Sequence, residues 1–320
     1  MLTPWRPSSP GHFWSWTAAG SVASARSTTG SSSDLVRWRE VAGFTALAYV
    51  IAWTVWAPLW PAALQSVVVG WTPSAYGGGS LAPVGMFAPA LAALLMRLLF
   101  REGVRGSLGP LRRWRWSVLA VLVPIGIVAV TIAVATTSGL AVFHLGGAQP
   151  TWEVAILLLL VGTPVSALPA FGEEYGWRGY LLPRLLPLGE VRASIVVALI
   201  WAPWHLPVLL VGLNFPGKGP LAVLTMMTAG VLALSLLFTR FFVASGGAVV
   251  TVALLHGSLN AFSDRLADPA HLAGDPFVVS VGGVVGILVT LAAVGVSYAL
   301  RRRAGHRCAP PVGPSPEGDQ

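Results

Sequence analysis

Long apolar segments restrict the fold of this chain more than any other feature. Runs of roughly 20 mostly apolar residues, enough to cross a bilayer core about 30 Å thick, lie near 41–61, 81–100, 116–137, 155–182, 192–213, 219–240, 245–263 and 277–300. A backbone in lipid must satisfy its own polar groups, so only helices or a closed barrel can span. These runs are too long and too uniformly apolar for barrel strands. Only 10% of the residues are charged, against about a quarter in a soluble domain. The sequence predicts an all-α, polytopic membrane protein with about eight transmembrane helices.

Basic residues alternate between the two sides of these predicted helices. If the N-terminus lies inside, 18 of the 20 Lys and Arg residues fall in inner segments, and only Lys218 and Arg265 remain outside. Because cytoplasmic loops collect positive charge, the alternation predicts that both termini are cytoplasmic. The net charge of +8 is then explained by anionic lipid head groups, and no nucleic-acid partner is expected.

The predicted domain organisation has three parts. Residues 1–34 include SARSTTGSSS and contain no apolar core of a signal peptide, which predicts a disordered cytoplasmic tail. Residues 35–303 form the predicted eight-helix membrane domain. Residues 304–320 are rich in Pro and Gly and predict a second disordered cytoplasmic tail. The single cysteine, Cys308, excludes an intramolecular disulfide.

Three short stretches combine polar residues with apolar flanks: GEEYGWR, IWAPWHLP and LLHGSLN. Charges inside a span are costly and mark functional candidates. In the first stretch, Glu174 and Arg178 are four residues apart, so they can pair along one helix face. Glu173 lies about 100° round the helix and is then the freer carboxylate, available as a proton acceptor. A capped helix end with an ion pair is the structural alternative, and it leaves Glu173 unexplained.

The other two stretches each carry a histidine. His205 lies between Pro203 and Pro207, and each proline removes a helical N–H and frees a carbonyl, which predicts a kink and a polar pocket. His256 and Asn260 are four apart and face the same neighbour, and the small residues around them admit a close helix. Read alone, each histidine also fits hydrogen bonding between packed helices. Two imidazoles, a carboxylate and an amide together resemble the groups that hydrolyse an amide bond.

The three stretches resemble the motifs of one family. GEEYGWR matches EExxxR, WAPWH matches FxxxH with Trp201 in place of Phe, and HGSLN matches HxxxN, in this order and over about residues 150–265. These motifs characterise the CPBP family, which includes type II CAAX prenyl proteases, bacteriocin-processing proteins and abortive-infection proteins. The resemblance implies an intramembrane peptidase with its catalytic core at about 150–265.

The resemblance also implies roles for the motif residues. The expected catalytic residues are Glu173 and His205, which would activate the attacking water, and His256 and Asn260, which would stabilise the oxyanion. The expected supporting residues are Glu174, Arg178 and Trp201. Family members are often named metalloproteases, but the chain has no HExxH motif. A zinc ion held by Glu173, His205 and His256 and a mechanism without metal both stay open.

Three functions remain open from the sequence. The first is an endopeptidase that cuts a membrane-associated peptide or protein, prenylated or not, within or near the cytoplasmic half of the bilayer. The second is a secondary transporter, which proline-broken spans and intramembrane charges also suit, although no paired half-repeats are found. The third is a non-catalytic membrane scaffold of the same family. The Gly-, Ala-, Arg- and Trp-rich composition is typical of a bacterial protein and predicts the bacterial cytoplasmic membrane. The oligomeric state stays open.

Overall fold

Helices dominate the fold. The computed structural model describes residues 36–73, 79, 81–104, 107–109, 113–144, 152–267 and 271–307. The α-helices are α1 (Trp38–Val55), α2 (Trp60–Val69), α3 (Leu81–Gly85), α4 (Ala88–Leu99), α5 (Trp114–Thr137), α6 (Trp152–Leu157), α7 (Thr163–Gly176), α8 (Leu182–Leu185), α9 (Glu190–Trp204), α10 (Leu206–Leu210), α11 (Pro220–Ser245), α12 (Val249–Leu266), α13 (Pro276–Val279) and α14 (Val284–Arg307). The strands are β1 (Ala141–Phe143) and β2 (Leu272–Gly274). The predicted tail 1–34 lies outside the described residues, as does the second predicted tail beyond Arg307, where α14 ends.

Five helical segments in the described part of the chain are long and apolar enough to cross a membrane: Leu81–Leu99, Trp114–Thr137, Glu153–Leu188, Pro220–Ser245 and Pro276–Arg303. A sixth candidate is the pair Trp38–Val55 and Ala57–Val69, which is bent by 62° at its break. The structure therefore supports an all-α polytopic membrane fold with five or six candidate spans. The count of eight stays a prediction.

The two remaining predicted spans correspond to α9 with α10 and to α12. α9 has 15 residues and ends just before His205, so it is short for a bilayer-spanning helix of about 20 residues. α12 has 18 residues and carries His256, Asn260, Asp264 and Arg265, which lower its hydropathy. α12 is nevertheless largely buried among the other helices, whereas α9 buries one face and exposes Val191 and Leu199. Their polarity and breaks set them apart from the five longer helices.

The helix that carries GEEYGWR continues through this stretch, as the sequence analysis expects. α6, α7 and α8 form one candidate span, Glu153–Leu188, with π-helical segments at Leu158–Gly162 and Trp177–Leu181. Single π-helical turns inside α-helices often occur at functional sites. The second of these turns begins directly after α7, which carries both glutamates of the motif.

Glycines allow α7 to pack closely against two neighbours. A Cβ atom at Gly257 of α12 would lie 2.5 Å from the backbone of Ala167 in α7, and a Cβ at Gly172 of α7 would lie 2.7 Å from the carbonyl oxygen of Met86. Both separations are too short for a real side chain, so only glycine permits these contacts. The prediction that small residues beside His256 admit a close helix is confirmed. α7 and α12 thereby bring two of the three polar stretches together.

Arginine-rich segments meet at one end of the helix bundle, which we call the arginine-rich end. Arg184 of α8 donates from Nε to Glu40 of α1 at 2.8 Å and from Nη2 to Glu102, after α4, at 2.7 Å. Other contacts at this end join Arg37 to Glu102, Arg113 to the carbonyl oxygen of Ala244, and Arg301 to Glu190. These contacts bring together segments that the alternation of basic residues places on the inner side.

The opposite end of the bundle, which we call the sheet end, holds β1 and β2 as an antiparallel pair. Here the backbone N–H of Thr72 donates to the carbonyl oxygen of Lys218 at 2.9 Å. Lys218 Nζ also lies 2.8 Å from Asp275 Oδ1, so the loop before α11 is joined both to the end of α2 and to α13. The hydrogen bond from Lys218 to its side chain lowers the pKa of Asp275 from its usual range.

Candidate active site

One cavity, of about 530 Å³, brings the predicted catalytic residues together. Glu173 of α7, His205 between α9 and α10, and His256 and Asn260 of α12 all line it, and so does Trp201 of α9. The volume is within the range of about 300–1,000 Å³ that is typical of ligand sites. Each of the three polar stretches therefore contributes to the same space, although they lie on separate helices.

Glu173 is held by the indole of Trp201. Only 1% of Glu173 is exposed, and its Oε2 accepts a hydrogen bond from Trp201 Nε1 at 2.6 Å. An ionised carboxylate makes its strongest hydrogen bonds with short, well-aligned donors. By comparison with the FxxxH motif, Trp201 is only an aromatic substitute for Phe, whereas its N–H makes a contact that Phe cannot make. A buried indole N–H usually finds a partner, and that rule is the signal that could have revealed this contact.

His205 lies at a helix break. α9 ends at Trp204, and α10 begins at Leu206, as the flanking prolines predict. His205 Nδ1 is 3.0 Å from the carbonyl oxygen of Trp201. Because a carbonyl oxygen only accepts, Nδ1 carries a hydrogen and donates it. In the neutral ring, Nε2 is then the acceptor.

Glu174 and Arg178 form the ion pair that their spacing predicts, and His256 joins it. Arg178 Nη1 lies 3.2 Å from Glu174 Oε1, and both side chains are fully buried. His256 Nδ1 lies 2.9 Å from the same oxygen. His256 therefore donates from Nδ1 to Glu174, a contact between α12 and α7 that spacing along the chain does not reveal.

Two aromatic rings surround the buried guanidinium. The Cζ atom of Arg178 lies 4.4 Å from the ring centroid of Trp201 and 5.0 Å from that of Phe238 in α11. A desolvated cation over an aromatic face is stabilised by the ring quadrupole. Trp201 thus contacts Arg178 with its face and Glu173 with its N–H, and it links the two charged groups. Neither Glu174 nor Arg178 lines the cavity, which agrees with a supporting position.

A polar stripe on α12 extends from the site toward the sheet end. His256, Asn260 and Asp264 follow one another at intervals of four residues, and all three line the cavity. Residues at this spacing share one helix face. Asp264 lies beyond the HxxxN motif, which ends at Asn260, although the same interval of four residues predicts it.

The candidate zinc ligands do not fit a metal site. Across the described residues, no group of three or more His, Cys, Asp and Glu side chains is placed to hold a metal ion. Glu173, His205 and His256 share the cavity without forming such a group.

The comparison with known families agrees with the geometry. Residues 150–262 match the family model described as Type II CAAX prenyl endopeptidase Rce1-like. The chain carries an Rce1-like domain of the CPBP family. This domain includes all three motifs, and the resemblance that they indicate is confirmed. With its apolar helices, the Rce1-like domain identifies an integral membrane protein of the CAAX-protease-like peptidase type. No curated protein matches the chain.

Proposed function

We propose that this protein is an intramembrane endopeptidase in which Glu173 activates the attacking water. The observation that carries the proposal is the convergence of Glu173, His205, His256 and Asn260 on one cavity. The Rce1-like domain supports a peptidase in general. The substrate we expect is a membrane-associated peptide or protein, because the cavity lies among candidate membrane spans.

In the proposed reaction, a water molecule in the cavity gives one proton to Glu173 and is oriented by a hydrogen bond that it donates to His205. His205 contributes the lone pair of Nε2, since its Nδ1 hydrogen is directed to a carbonyl oxygen. The hydroxide adds to the carbonyl carbon of the scissile peptide bond, and the carbonyl oxygen becomes an oxyanion. Glu173 then passes its proton to the leaving amine, and the C–N bond breaks. No step requires a metal ion.

Asn260 and His256 are the proposed donors to the oxyanion. The amide group of Asn260 donates as it stands, and His256 donates from Nε2 when both ring nitrogens carry hydrogen. The hydrogen bond from His256 Nδ1 to Glu174 Oε1, 2.9 Å long, fixes the orientation of the ring. Preorganised donors of this kind each contribute about 10²–10³-fold to the rate of acyl transfer.

We also propose that the chain crosses the bacterial cytoplasmic membrane eight times, with both termini in the cytoplasm. The ion pairs that join Arg184 to Glu40 and to Glu102 support this topology, because they bring three predicted inner segments to the same end of the bundle. The positive-inside rule then assigns that end to the cytoplasm. In this arrangement the seventh span, α12, is largely buried among other helices, and the fifth span, α9 with α10, is broken at His205.

Glu173→Gln tests the catalytic role. We expect at least one membrane or secreted peptide to accumulate uncut in cells with this variant and to be processed in cells with the wild-type protein, as measured by mass spectrometry of peptides. Glu153→Gln is the matched control, because Glu153 is exposed at the other end of the same helical segment. If all three strains gave the same peptides at equal expression, the proposed function would be wrong.

Trp201→Phe tests whether the indole N–H assists Glu173, and it introduces the residue that the FxxxH motif has at this position. The change removes the 2.6 Å hydrogen bond to Glu173, and a bond to a charged group is worth about 1.5–3 kcal/mol. If that energy is needed in the transition state, kcat/KM for the peptide identified above falls about 10–100-fold. An unchanged kcat/KM would show that the indole N–H does not assist Glu173.

A further inference from the structure

We propose that substrate enters the cavity from the sheet end and that the site is therefore open to the outer side of the membrane. The reaction at this site rests on the proposed function, but the direction of access does not. The expectation from the sequence is cleavage within or near the cytoplasmic half of the bilayer. The loops that line the cavity support access from the other side.

The loops that line the cavity come from the sheet end. Gly79 lies between α2 and α3, Asn214 between α10 and α11, and Leu272 and Gly274 belong to β2. Ser280, which follows α13, lines it as well. Each of these segments connects two helices at the end where β1 and β2 pair. The cavity therefore reaches from Glu173 toward this end of the bundle.

The arginine-rich end is closed beneath the site. Arg178, four residues after Glu174, is fully buried. Beyond it, Arg97 Nη2 donates to the carbonyl oxygen of Gly179 at 2.9 Å, and Arg184 Nη1 donates to that of Tyr180 at 2.9 Å. None of these residues lines the cavity. Side chains that seal the helix ends thus separate the cavity from the segments that carry most of the positive charge.

Charge assigns the two ends to the two sides of the membrane. Lys218 and Arg265 are the only two of the chain's 20 Lys and Arg residues in the segments predicted outside, and both neighbour the sheet end. By the positive-inside rule, the arginine-rich end is cytoplasmic, so the sheet end faces outward. A peptide would reach Glu173 from the outer surface or from the outer leaflet.

The lining also restricts the chemistry of that peptide. Among the described lining residues, Glu173 and Asp264 carry carboxylates, there is no Lys or Arg, and most of the remainder are apolar. In a site of low dielectric, like charges repel strongly. We therefore expect a substrate segment that is mainly apolar and has no acidic residue near the cleaved bond, as in the membrane-proximal part of an exported protein.

Cysteine labelling tests the direction of access without any need for activity. The natural Cys308 is the next residue in the sequence after α14, and Arg301 of α14 lies at the arginine-rich end. In a Cys308→Ser background, Ser280→Cys places a thiol of similar size on the cavity lining, and Ser107→Cys places one at the arginine-rich end. The reagent is a membrane-impermeant maleimide, applied to intact and to permeabilised cells.

We expect Ser280→Cys to be labelled in intact cells, and Ser107→Cys and the wild-type Cys308 to be labelled at least tenfold less until the membrane is permeabilised. Labelling of Ser280→Cys only after permeabilisation would overturn the proposal. So would its protection in both conditions, if the unfolded protein reacts. The same pattern is expected with Glu173→Gln, so a failure of the proposed catalysis would leave the labelling unchanged.

A second variant connects access with the reaction. Ser263→Cys, in the same background, places a thiol on the cavity lining between Asn260 and Asp264. Processing of the peptide identified with Glu173→Gln is expected to fall at least tenfold when intact cells with this variant are treated with the impermeant maleimide, relative to untreated cells with the same variant. Full processing after complete labelling would show that substrate takes another route.

Discussion

Removal of the Arg178 side chain tests the buried charges most directly. In Arg178→Met, Glu174 remains fully buried and keeps only the hydrogen bond from His256 at 2.9 Å. Loss of one partner from a buried ion pair costs about 3–5 kcal/mol in the free energy of unfolding. Because His256 still contacts the carboxylate, we expect a loss at the lower limit, about 3 kcal/mol.

The reverse change is expected to cost less. In Glu174→Gln, Arg178 keeps the rings of Trp201 at 4.4 Å and Phe238 at 5.0 Å, and cation–π contacts of desolvated groups are worth about 2 kcal/mol. Gln also keeps an oxygen that can accept from Arg178. We therefore expect a loss of about 1–2 kcal/mol, and in the double variant a coupling of at least about 1 kcal/mol between the two sites.

The assay is equilibrium unfolding by SDS titration in mixed micelles, followed by tryptophan fluorescence. Arg302→Met is the matched control, since Arg302 is exposed in α14, and its effect is expected to stay within about 0.5 kcal/mol. Two results would refute the reasoning: an Arg178→Met protein as stable as the control, or single changes that add to within about 0.5 kcal/mol in the double variant.

Two further changes test packing and surface charge. Gly257→Ala is expected to lower the free energy of unfolding by about 1–3 kcal/mol, because its Cβ would lie 2.5 Å from the backbone of Ala167. Gly126→Ala, with nothing within 4 Å, is expected to be neutral or stabilising by up to about 1 kcal/mol, and equal effects in the same SDS titration would contradict the close packing. The lowered pKa of Asp275 means that its ion pair with Lys218 contributes stability above about pH 4 that is lost as the pH falls through the folded-state pKa. For this partly exposed pair we expect less than about 1 kcal/mol, and thermal unfolding of wild type and Asp275→Asn between about pH 2 and 6 should converge at the acidic limit; a constant difference would contradict the assignment.

Local spacing predicts much of the site. The interval of four residues predicts the pairing of Glu174 with Arg178, and the prolines around His205 predict the break between α9 and α10. These inferences succeed because they depend on the geometry of a single helix. The contact between His256 and Glu174 depends instead on which helix packs against α12, and a single sequence does not state that.

The number of spans and the direction of the cavity are harder to read for a related reason. Hydropathy registers how apolar a segment is, whereas α12 is largely buried among other helices and tolerates polar residues, and α9 is interrupted at His205 before it is long enough to span. The cavity is bounded in part by loops such as the one that contains Asn214, and loop sequences do not show which helices they cover. Trp201 is an intermediate case. The sequence predicts that a buried indole N–H needs a hydrogen-bond partner, but it does not show that the partner is Glu173.

One oxygen atom, Oε1 of Glu174, accepts from both Arg178 and His256, and this has a consequence for how such a chain can change over time. Replacement of any one of the three removes at least one buried contact from the other two. Each single substitution at these positions is therefore expected to cost stability, even where a different set of three would fold. Divergence at this point of the molecule is least costly when α7, the following π-helical turn and α12 change together.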